Sequence, residues 1–379
     1  MSLAFLTLLY EWRRYVTAIV ALAVSGLLVL SMVGMFVGMG KSNTATVDHS
    51  PAEVMILSPQ SESLYNNGFS QPRRLIPMMY NHPQVLEAQS FDTGWASWAN
   101  FPKAGQPSKS EGVLIAIVDP VEGSVTLPTD FSAQAVDALK APYSVLIDKS
   151  ALARLGVAKG DAAKINGRRV QVSEIIEGYP ALFNCTIYMS RRTAELLQIF
   201  RESNRVGAIM VKIRDPQLAR QVAAEINAMG GGEYRAWTRE TLSERSQIAL
   251  LKEGGISIIL GFSVVVSTFI GVVITWQILQ GAITASIKEF AGLRALGVPM
   301  SSLRLIVMEL SLWVGILGLG LAGVFTGLVW CLAGWIHVPM SFPPYVTLPV
   351  GVGLLMIAAV SGFFSLGVLN KAQPADLLR

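Results

Sequence analysis

Residues 15–40 have the sequence YVTAIVALAVSGLLVLSMVGMFVGMG, a run without a charged side chain. A helix rises about 1.5 Å per residue, so this run would be about 39 Å long and would exceed the ~30 Å hydrocarbon core of a bilayer. An amphipathic stretch in residues 1–14, which ends at Arg13 and Arg14, predicts an interfacial helix before it. A cleaved signal peptide is the alternative, but its apolar core would have only ~7 to 15 residues. The pattern favours an uncleaved membrane anchor.

Three further apolar runs occupy the C-terminal third of the chain, at residues 254–285, 303–335 and 346–369. The whole chain is 52% apolar and only 15% charged, which is too apolar for two ordinary soluble domains. We therefore predict four transmembrane helices. The second run continues without charge to residue 287 and is longer than the membrane requires, so it should protrude.

The basic residues predict the orientation of these helices. Residues 286–302 contain Lys288 and Arg294, and residues 370–379 contain Lys371 and Arg379, whereas residues 336–345 contain neither Lys nor Arg. Loops rich in Lys and Arg stay on the cytoplasmic side. Both ends of the chain are therefore expected in the cytoplasm, with residues 41–253 outside.

Residues 41–253 show the pattern of a mixed α/β (α+β) domain inserted between the first two spans. Short apolar runs predict strands at residues 54–57, 113–118, 144–147, 170–176, 186–189 and 208–213. Asn166 and Gly167 predict a hairpin turn, and Asp215 predicts the start of a helix that ends near Met229. Thr238 can cap a helical stalk that leads to the second span, and Gly254 and Gly255 could break that stalk.

Residues 66–107 have a less regular pattern, rich in Pro, Asn and aromatic residues. They include Phe91, Trp95, Trp98 and Phe101. These side chains could form a partner-binding surface or a small local core, and the pattern alone leaves both open.

The sequence contains no recognisable catalytic, metal or nucleotide site. Gly40, Lys41 and Ser42 resemble the end of a phosphate-binding loop, but Met35 stands where that loop needs a glycine. The three histidines are scattered without metal-ligand spacing. The net charge of +4 is small and its basic residues are spread along the chain, which argues against nucleic acid as a partner. We expect no cofactor, although an enzyme anchored outside the membrane is a third class of function.

Five residues inside the apolar runs are candidates for intramembrane roles. Glu309 is a carboxylate within the third span, where it could pair with Arg304 or act in gating or transport. Glycines suit close helix packing, although they could also face lipid. The packing candidates are Gly34, Gly38, Gly323 and Gly327.

The loop between the second and third spans has a short charged helical pattern that ends at a glycine and a proline. Composition alone favours a solvated turn, but residues 289–297, EFAGLRALG, resemble the coupling-helix signature of the MacB, FtsX and LolC/LolE permease superfamily, the type VII ABC transporters. The tail resembles that family's ending at Pro374, Leu378 and Arg379. By this resemblance the ATPase-coupling residues are Lys288, Glu289, Phe290, Gly292, Leu293, Arg294, Ala295, Leu296 and Gly297.

The narrower resemblance is to the DevC group, whose permeases work with an adaptor in envelope-spanning exporters. It rests on segments such as LYNNGFS at residues 64–70 and TWQIL at residues 275–279. The resemblance implies a bacterial inner-membrane permease without catalytic residues of its own. ATP would bind to a separate cytosolic ABC ATPase, and a second permease copy would complete the complex.

The implied function is mechanotransmission, in which ATP hydrolysis drives a change outside the membrane that exports or extracts a lipid, lipoprotein or other hydrophobic substrate. A periplasmic adaptor and an outer-membrane exit duct are further expected partners. The alternative is an FtsX-like signalling protein that activates a cell-wall hydrolase without transport. A heterodimer with a paralogue is also left open.

Overall fold

The computed structural model describes residues 8, 10, 12–64, 71–102, 108–180, 185–199, 204–253, 255–285, 298–335 and 338–371. The described helices are α1 (Trp12–Asp48), α2 (Leu75–Met79), α3 (Ala133–Lys140), α4 (Leu152–Leu155), α5 (Arg191–Leu196), α6 (Ala219–Gly230), α7 (Arg239–Glu253), α8 (Gly255–Ala285), α9 (Met300–Trp335) and α10 (Pro344–Lys371). The described strands are β1 (Val54–Leu57), β2 (Gln71–Pro72), β3 (Val85–Asn100), β4 (Ser110–Val118), β5 (Ser144–Asp148), β6 (Ala162–Ile165), β7 (Arg168–Ile176), β8 (Cys185–Ser190), β9 (Arg205–Val206), β10 (Ala208–Ile213) and β11 (Arg235–Thr238).

The chain divides into two compact units. The helical unit contains Met1–Gly38, Gly255–Trp335 and Met340–Arg379, and the α/β unit contains Met39–Gly254 and Ile336–Pro339. Within the described residues, Tyr15–Ser42 and Arg304–Trp335 are long and apolar enough to cross a membrane. The helices α8 and α10 contribute shorter apolar stretches, Gly261–Ile274 and Pro344–Met356. The predicted count of four spans therefore stays a prediction.

Small residues allow close packing within the helical unit. A Cβ at Gly318 of α9 would lie only 2.8 Å from Leu22 of α1, and one at Gly26 would lie 2.9 Å from the Cβ of Ala322. Glycine at both positions lets the two helix backbones approach each other. Nearer one end of the same helices, Tyr15 and other side chains form a small apolar cluster with α9.

The α/β unit is built on one sheet with the strand order β11-β1-β10-β3-β4-β8-β5-β7-β6. Strand β3 also pairs with β6, so the second half of this sheet closes on itself. The pairs β4–β8 and β5–β7 are parallel, and the other pairs in the sheet are antiparallel. The closed part encloses a core around Trp98, which is fully buried and donates from Nε1 to the carbonyl of Leu155 at 3.3 Å.

Within the less regular segment at residues 66–107, residues 85–100 form the long strand β3, which the sequence pattern did not predict. Phe91 and Trp98 are buried on this strand, whereas Trp95 is exposed. Phe101 is also exposed, and Lys164 Nζ lies 4.9 Å from the centre of its ring. The aromatic residues of this segment therefore divide between the core and the surface.

The six predicted strands are confirmed, and so are the predicted turn and helix ends. Asn166 and Gly167 have φ values of 49° and 80° and join β6 to β7, as a hairpin with two left-handed residues requires. Asp215 accepts a hydrogen bond from Gln217 N at 3.0 Å. A short 3₁₀ turn, Pro216–Leu218, then leads into α6, which ends before the left-handed Gly231.

Candidate functional site

The two chain segments that lead to the long apolar helices meet at one edge of the sheet. Strand β1 follows α1 after five residues, and β11 continues directly into α7. The two strands are antiparallel neighbours, and Val54 at the start of β1 is opposite Thr238 at the end of β11. The chain therefore enters and leaves the sheet at the same end. We call this region, formed by residues 39–48 of α1, β1, β11 and α7, the helix-anchoring edge.

The last turns of α1 are part of the α/β core. Ala45 and Val47 are buried in the cluster that also contains residues of β1, β4 and β8. Thr46 is 2% exposed, and its Oγ1 lies 2.7 Å from the hydroxyl of Tyr188 on β8. Tyr188 in turn packs edge to face against the ring of Phe131, with centroids 5.2 Å apart. The end of α1 is thereby fixed by apolar burial and by a buried hydrogen bond.

The residue after α1 is held by polar contacts. His49 Nδ1 lies 3.2 Å from the hydroxyl of Tyr179 and 3.2 Å from Asp130 Oδ2. The Tyr179 hydroxyl donates to Asp130 Oδ1 at 2.5 Å. The carbonyl of His49 accepts hydrogen bonds from the backbone N–H and the hydroxyl of Thr129, at 2.9 and 3.0 Å. The backbone between α1 and β1 is therefore fastened on both sides.

Helix α7 begins at a reciprocal cap. Thr241 N donates to Thr238 Oγ1 at 3.3 Å, and Thr238 N donates to Thr241 Oγ1 at 3.1 Å, so each residue satisfies a free N–H of the helix start. The next residue ties the helix to the segment before β1. Arg239 N donates to the carbonyl of Glu53 and Arg239 Nη1 donates to the carbonyl of Ser50, each at 3.0 Å.

One face of α7 is buried in the α/β unit. Leu242 is fully buried in the same cluster as the end of α1, and Ala249 is 4% exposed. Ser246 Oγ donates to the carbonyl of Glu62 at 2.9 Å. A Cβ at Gly40 would lie 3.5 Å from Gln247 Cγ, so α7 runs beside the last turns of α1. The two connecting helices thus contact each other and share one core.

Burial and hydrogen bonds account for the shifted pKa values among the described residues of the α/β unit. Burial raises the pKa of the Cys185 thiol to about 11, which leaves it protonated and unreactive at neutral pH. Hydrogen bonds from Gln221 and then from His82 lower the pKa of Glu225. A hydrogen bond from Lys159 lowers that of Glu174. Among the described residues, no group of three His, Cys, Asp or Glu side chains is placed to hold a metal ion.

Comparison with known proteins identifies the family. The profile of the MacB-like periplasmic core domain matches residues 15–229, more than half of the chain. That of the FtsX-like permease C-terminal region matches residues 261–374. The chain belongs to the MacB/FtsX family of ABC-transporter permeases. Permeases of this type VII family are membrane components that work with cytosolic ABC ATPases.

Three solved structures are similar to part of this permease. The periplasmic region of MacB from Actinobacillus actinomycetemcomitans is 13% identical, with a TM-score of 0.35 over 52% of this chain and 94% of that one. The extracellular domain of the noncanonic ABC-type transporter YknZ from Gram-positive bacteria is 13% identical, with a TM-score of 0.33 over 49% and 99%. A permease domain from Porphyromonas gingivalis is 17% identical, with a TM-score of 0.30 over 49% and 89%. No curated protein matches the chain.

The residues expected to couple this permease to an ATPase lie outside the described residues. This holds for the nine coupling residues between Lys288 and Gly297 and for Pro374, Leu378 and Arg379 in the tail. Their roles stay predictions, as does the narrower resemblance to the DevC group.

The intramembrane candidates are described. Glu309 is half-buried in α9 and forms no ion pair with another described residue, so its role stays a prediction. Gly38 is buried, and Gly34 lies against the ring of Phe342.

The other two packing candidates have open space around them. A Cβ at Gly323 or Gly327 would meet no atom of a described residue within 4 Å. They line a cavity, so their role in packing against another helix, of this chain or of a second copy, stays a prediction.

Sequence reasoning did not single out the contacts of the helix-anchoring edge. It ended the first helix at residue 40, although residues 41–48 contain neither glycine nor proline to stop a helix. The small residues Thr44 to Val47, all buried in the structure, were the available signal that this helix continues into a core.

Proposed function

We propose that this permease is a non-catalytic membrane subunit of an ATP-driven machine that exports or extracts a lipid, a lipoprotein or another hydrophobic substrate. A separate cytosolic ATPase supplies the energy, and the permease passes the resulting motion through its membrane helices to residues 41–253. The observation that carries this proposal is the helix-anchoring edge, where β1 and β11 pair and the ends of α1 and α7 share one core.

A helix can transmit force to the α/β unit only through a stiff attachment. A helix joined to the domain by a flexible linker could move without moving the domain. Here α1 ends in buried contacts around Thr46, and α7 holds Leu242 in the same core. Close-packed interiors transmit displacement because they compress little. A shift of either helix would therefore act directly on the sheet.

The proposed arrangement has four spans per chain, with the loop at residues 286–302 and both described chain ends on the cytoplasmic side. Lys288 and Arg294 in that loop support this orientation. Two permease copies, most simply a homodimer in the bacterial inner membrane, would match the two halves of an ATPase dimer. An adaptor and an exit duct would carry the substrate onward.

A first experiment identifies the proteins that bind to this permease. The full chain, tagged and purified in mild detergent, should bring an ABC ATPase with it, detected by mass spectrometry. Arg294→Asp should abolish this association while leaving folding intact, because it reverses a charge on the proposed docking loop. Arg73→Asp, on the exposed surface of the α/β unit, is the matched control. If Arg294→Asp retains the ATPase and its coupled activity, the docking role is wrong.

The second candidate is an FtsX-like signalling role, because the FtsX-like match over residues 261–374 is compatible with signalling as well as with transport. In that case residues 41–253 would activate a cell-wall hydrolase and nothing would be transported. Co-purification of a hydrolase, with no ATP-dependent movement of lipid or lipoprotein from vesicles, would support signalling. Movement of such a substrate without any hydrolase would support export or extraction.

A further inference from the structure

A cavity of about 540 Å³ lies within the helical unit, between α1, α9 and α10. Its volume is within the range of ~300 to 1,000 Å³ typical of ligand sites. The walls are mainly apolar, and they include Leu30 of α1, Leu319 of α9, and Leu348 and Leu355 of α10. An apolar molecule is therefore the natural occupant.

Glycines create the space. Gly323 and Gly327 of α9 and Gly351 of α10 line the cavity. In the part of the chain that the structure describes, a Cβ at Gly323 or Gly327 would meet no atom within 4 Å, and one at Gly351 would meet Leu319 at 3.7 Å. A large side chain at Gly327 would thus occupy the cavity without displacing the backbone of a neighbouring helix.

One polar group lines this apolar space without a partner. Thr326 is only 6% exposed, yet its Oγ1 has no hydrogen-bond partner among the described residues. Two other hydroxyls of the helical unit donate to carbonyls of their own helix or its cap. Ser311 donates to Met308 O at 2.8 Å, and Thr347 donates to Pro343 O at 3.2 Å. A buried hydroxyl without a partner is unfavourable, so the occupant should supply an acceptor.

The neighbouring tryptophan indicates the depth of this hydroxyl in a membrane. Trp330 also lines the cavity, is half-exposed, and follows Thr326 by one helical turn. Tryptophan concentrates at the headgroup level of bilayers. In a phospholipid, the ester carbonyls lie directly below the headgroup and the acyl chains lie below the carbonyls. Thr326 precedes Trp330 by about 6 Å of helix rise, so with Trp330 at the headgroup level Thr326 lies at the depth of an ester carbonyl.

We propose that this cavity binds one acyl chain of an ester-linked membrane phospholipid, whose ester carbonyl accepts a hydrogen bond from Thr326 Oγ1. One long apolar chain with an acceptor near its end matches an apolar cavity lined by a buried hydroxyl that has no partner among the described residues. A helix of a second copy is the competing occupant, and it would leave residues 319–330 without lipid label. The proposal requires no ATPase and stands independently of the proposed function.

Photo-crosslinking tests the site directly. The purified full chain is reconstituted in vesicles of phosphatidylethanolamine and phosphatidylglycerol that contain a phospholipid with a diazirine in one acyl chain. After illumination, the label should map to residues 319–330 and 347–355. Gly327→Leu should abolish this labelling, because its side chain fills the cavity. Gly320→Leu is the matched control, since Gly320 is an open position on the same helix that does not line the cavity.

The hydrogen bond is tested by changing each partner. Thr326→Val keeps the shape of the side chain and removes the hydroxyl, which should weaken competition by an ester phospholipid about fivefold. The corresponding ether phospholipid lacks the carbonyl, so it should compete about fivefold less well against wild type. Against Thr326→Val, the two lipids should compete equally. This arm stays informative even if Gly327→Leu fails to fold.

Three results would overturn the proposal. The first is labelling that survives Gly327→Leu at the wild-type level. The second is equal competition by ester and ether lipids in wild type. The third is an absence of lipid labelling at residues 319–330 and 347–355 in wild type.

Discussion

Replacing Leu242 with Ala tests how firmly α7 is attached to the α/β unit. Leu242 is fully buried in the core shared by the end of α1, β1 and β11. Truncating a fully buried leucine removes its transfer free energy and leaves a cavity, which together cost about 2–5 kcal/mol. Ile248, on the same helix, is 41% exposed. Ile248→Ala should change the free energy of unfolding by about 0.5 kcal/mol, typical of surface sites.

The expected signal is a difference in melting temperature. For a domain of about 150–250 residues, 1 kcal/mol shifts the melting temperature by about 2–4 °C. A loss of about 3 kcal/mol from Leu242→Ala should therefore lower the transition by about 6–12 °C, and Ile248→Ala should lower it by about 2 °C or less. Tryptophan fluorescence of the full chain in detergent reports the transition, since Trp237 belongs to the same cluster.

The same pair of variants tests transmission. Below its melting transition, Leu242→Ala should weaken the coupling of ATP hydrolysis to substrate movement, while ATPase association stays at the wild-type level. Ile248→Ala should preserve both. Equal thermal shifts in the two variants would refute the burial argument. Full coupling in a destabilised Leu242→Ala protein would refute the role of this attachment in force transfer.

Three further predictions concern the α/β unit. Cys185, with its pKa raised to about 11, should have about one thiolate in a thousand at about pH 8, so a thiol reagent should label it only after unfolding. A hydrogen bond from Lys159 lowers the pKa of Glu174 in the folded state. The pair therefore stabilises the fold at pH values above the pKa of Glu174 in the unfolded chain, and this stabilisation is lost as the pH falls through the lower pKa of the folded state. In denaturant titrations from about pH 5 to about pH 3, the free energy of unfolding should fall more steeply for wild type than for Glu174→Gln. Gly207→Ala should strongly lower the melting temperature, because its Cβ would overlap the backbone carbonyl of Phe91. Gly112→Ala should leave the melting temperature nearly unchanged, because no described atom lies within 4 Å of its Cβ.

Much of the α/β sheet could be predicted from local sequence. Strands β1 and β10 occur at the predicted residues, because their runs of Val, Ile, Leu and Met are short, apolar and bounded by turns. Asn166 and Gly167 identified the hairpin between β6 and β7, because both tolerate positive φ. Such features depend on a few adjacent residues, which the sequence displays directly.

Strand β3 was missed because its pattern depends on tertiary structure. Residues 85–91 pair with β10, whereas residues 92–99 pair with β4. The buried face therefore belongs to different cores along one strand, and a single alternation of apolar and polar residues is not kept. Asp92 and Gly94 further lower its apparent strand propensity.

The sequence alone could not predict the helix-anchoring edge or the cavity between α1, α9 and α10. The contact between Thr46 and Tyr188 joins residues 142 positions apart, and nothing in either segment specifies the other. Thr326 appeared only as one polar residue in an apolar run. Its lack of a partner becomes visible when the neighbouring helices are placed.

Strand β3 couples the unfolding of the two halves of the α/β unit. At its midpoint, Asp92 accepts hydrogen bonds from Gly207 N at 2.5 Å and from Arg191 Nη2 at 2.6 Å. Because the backbone of β3 runs through both cores, loss of its pairing with β10 also weakens its pairing with β4. Amide protons of β10 and β4 should therefore exchange with solvent as a single cooperative group.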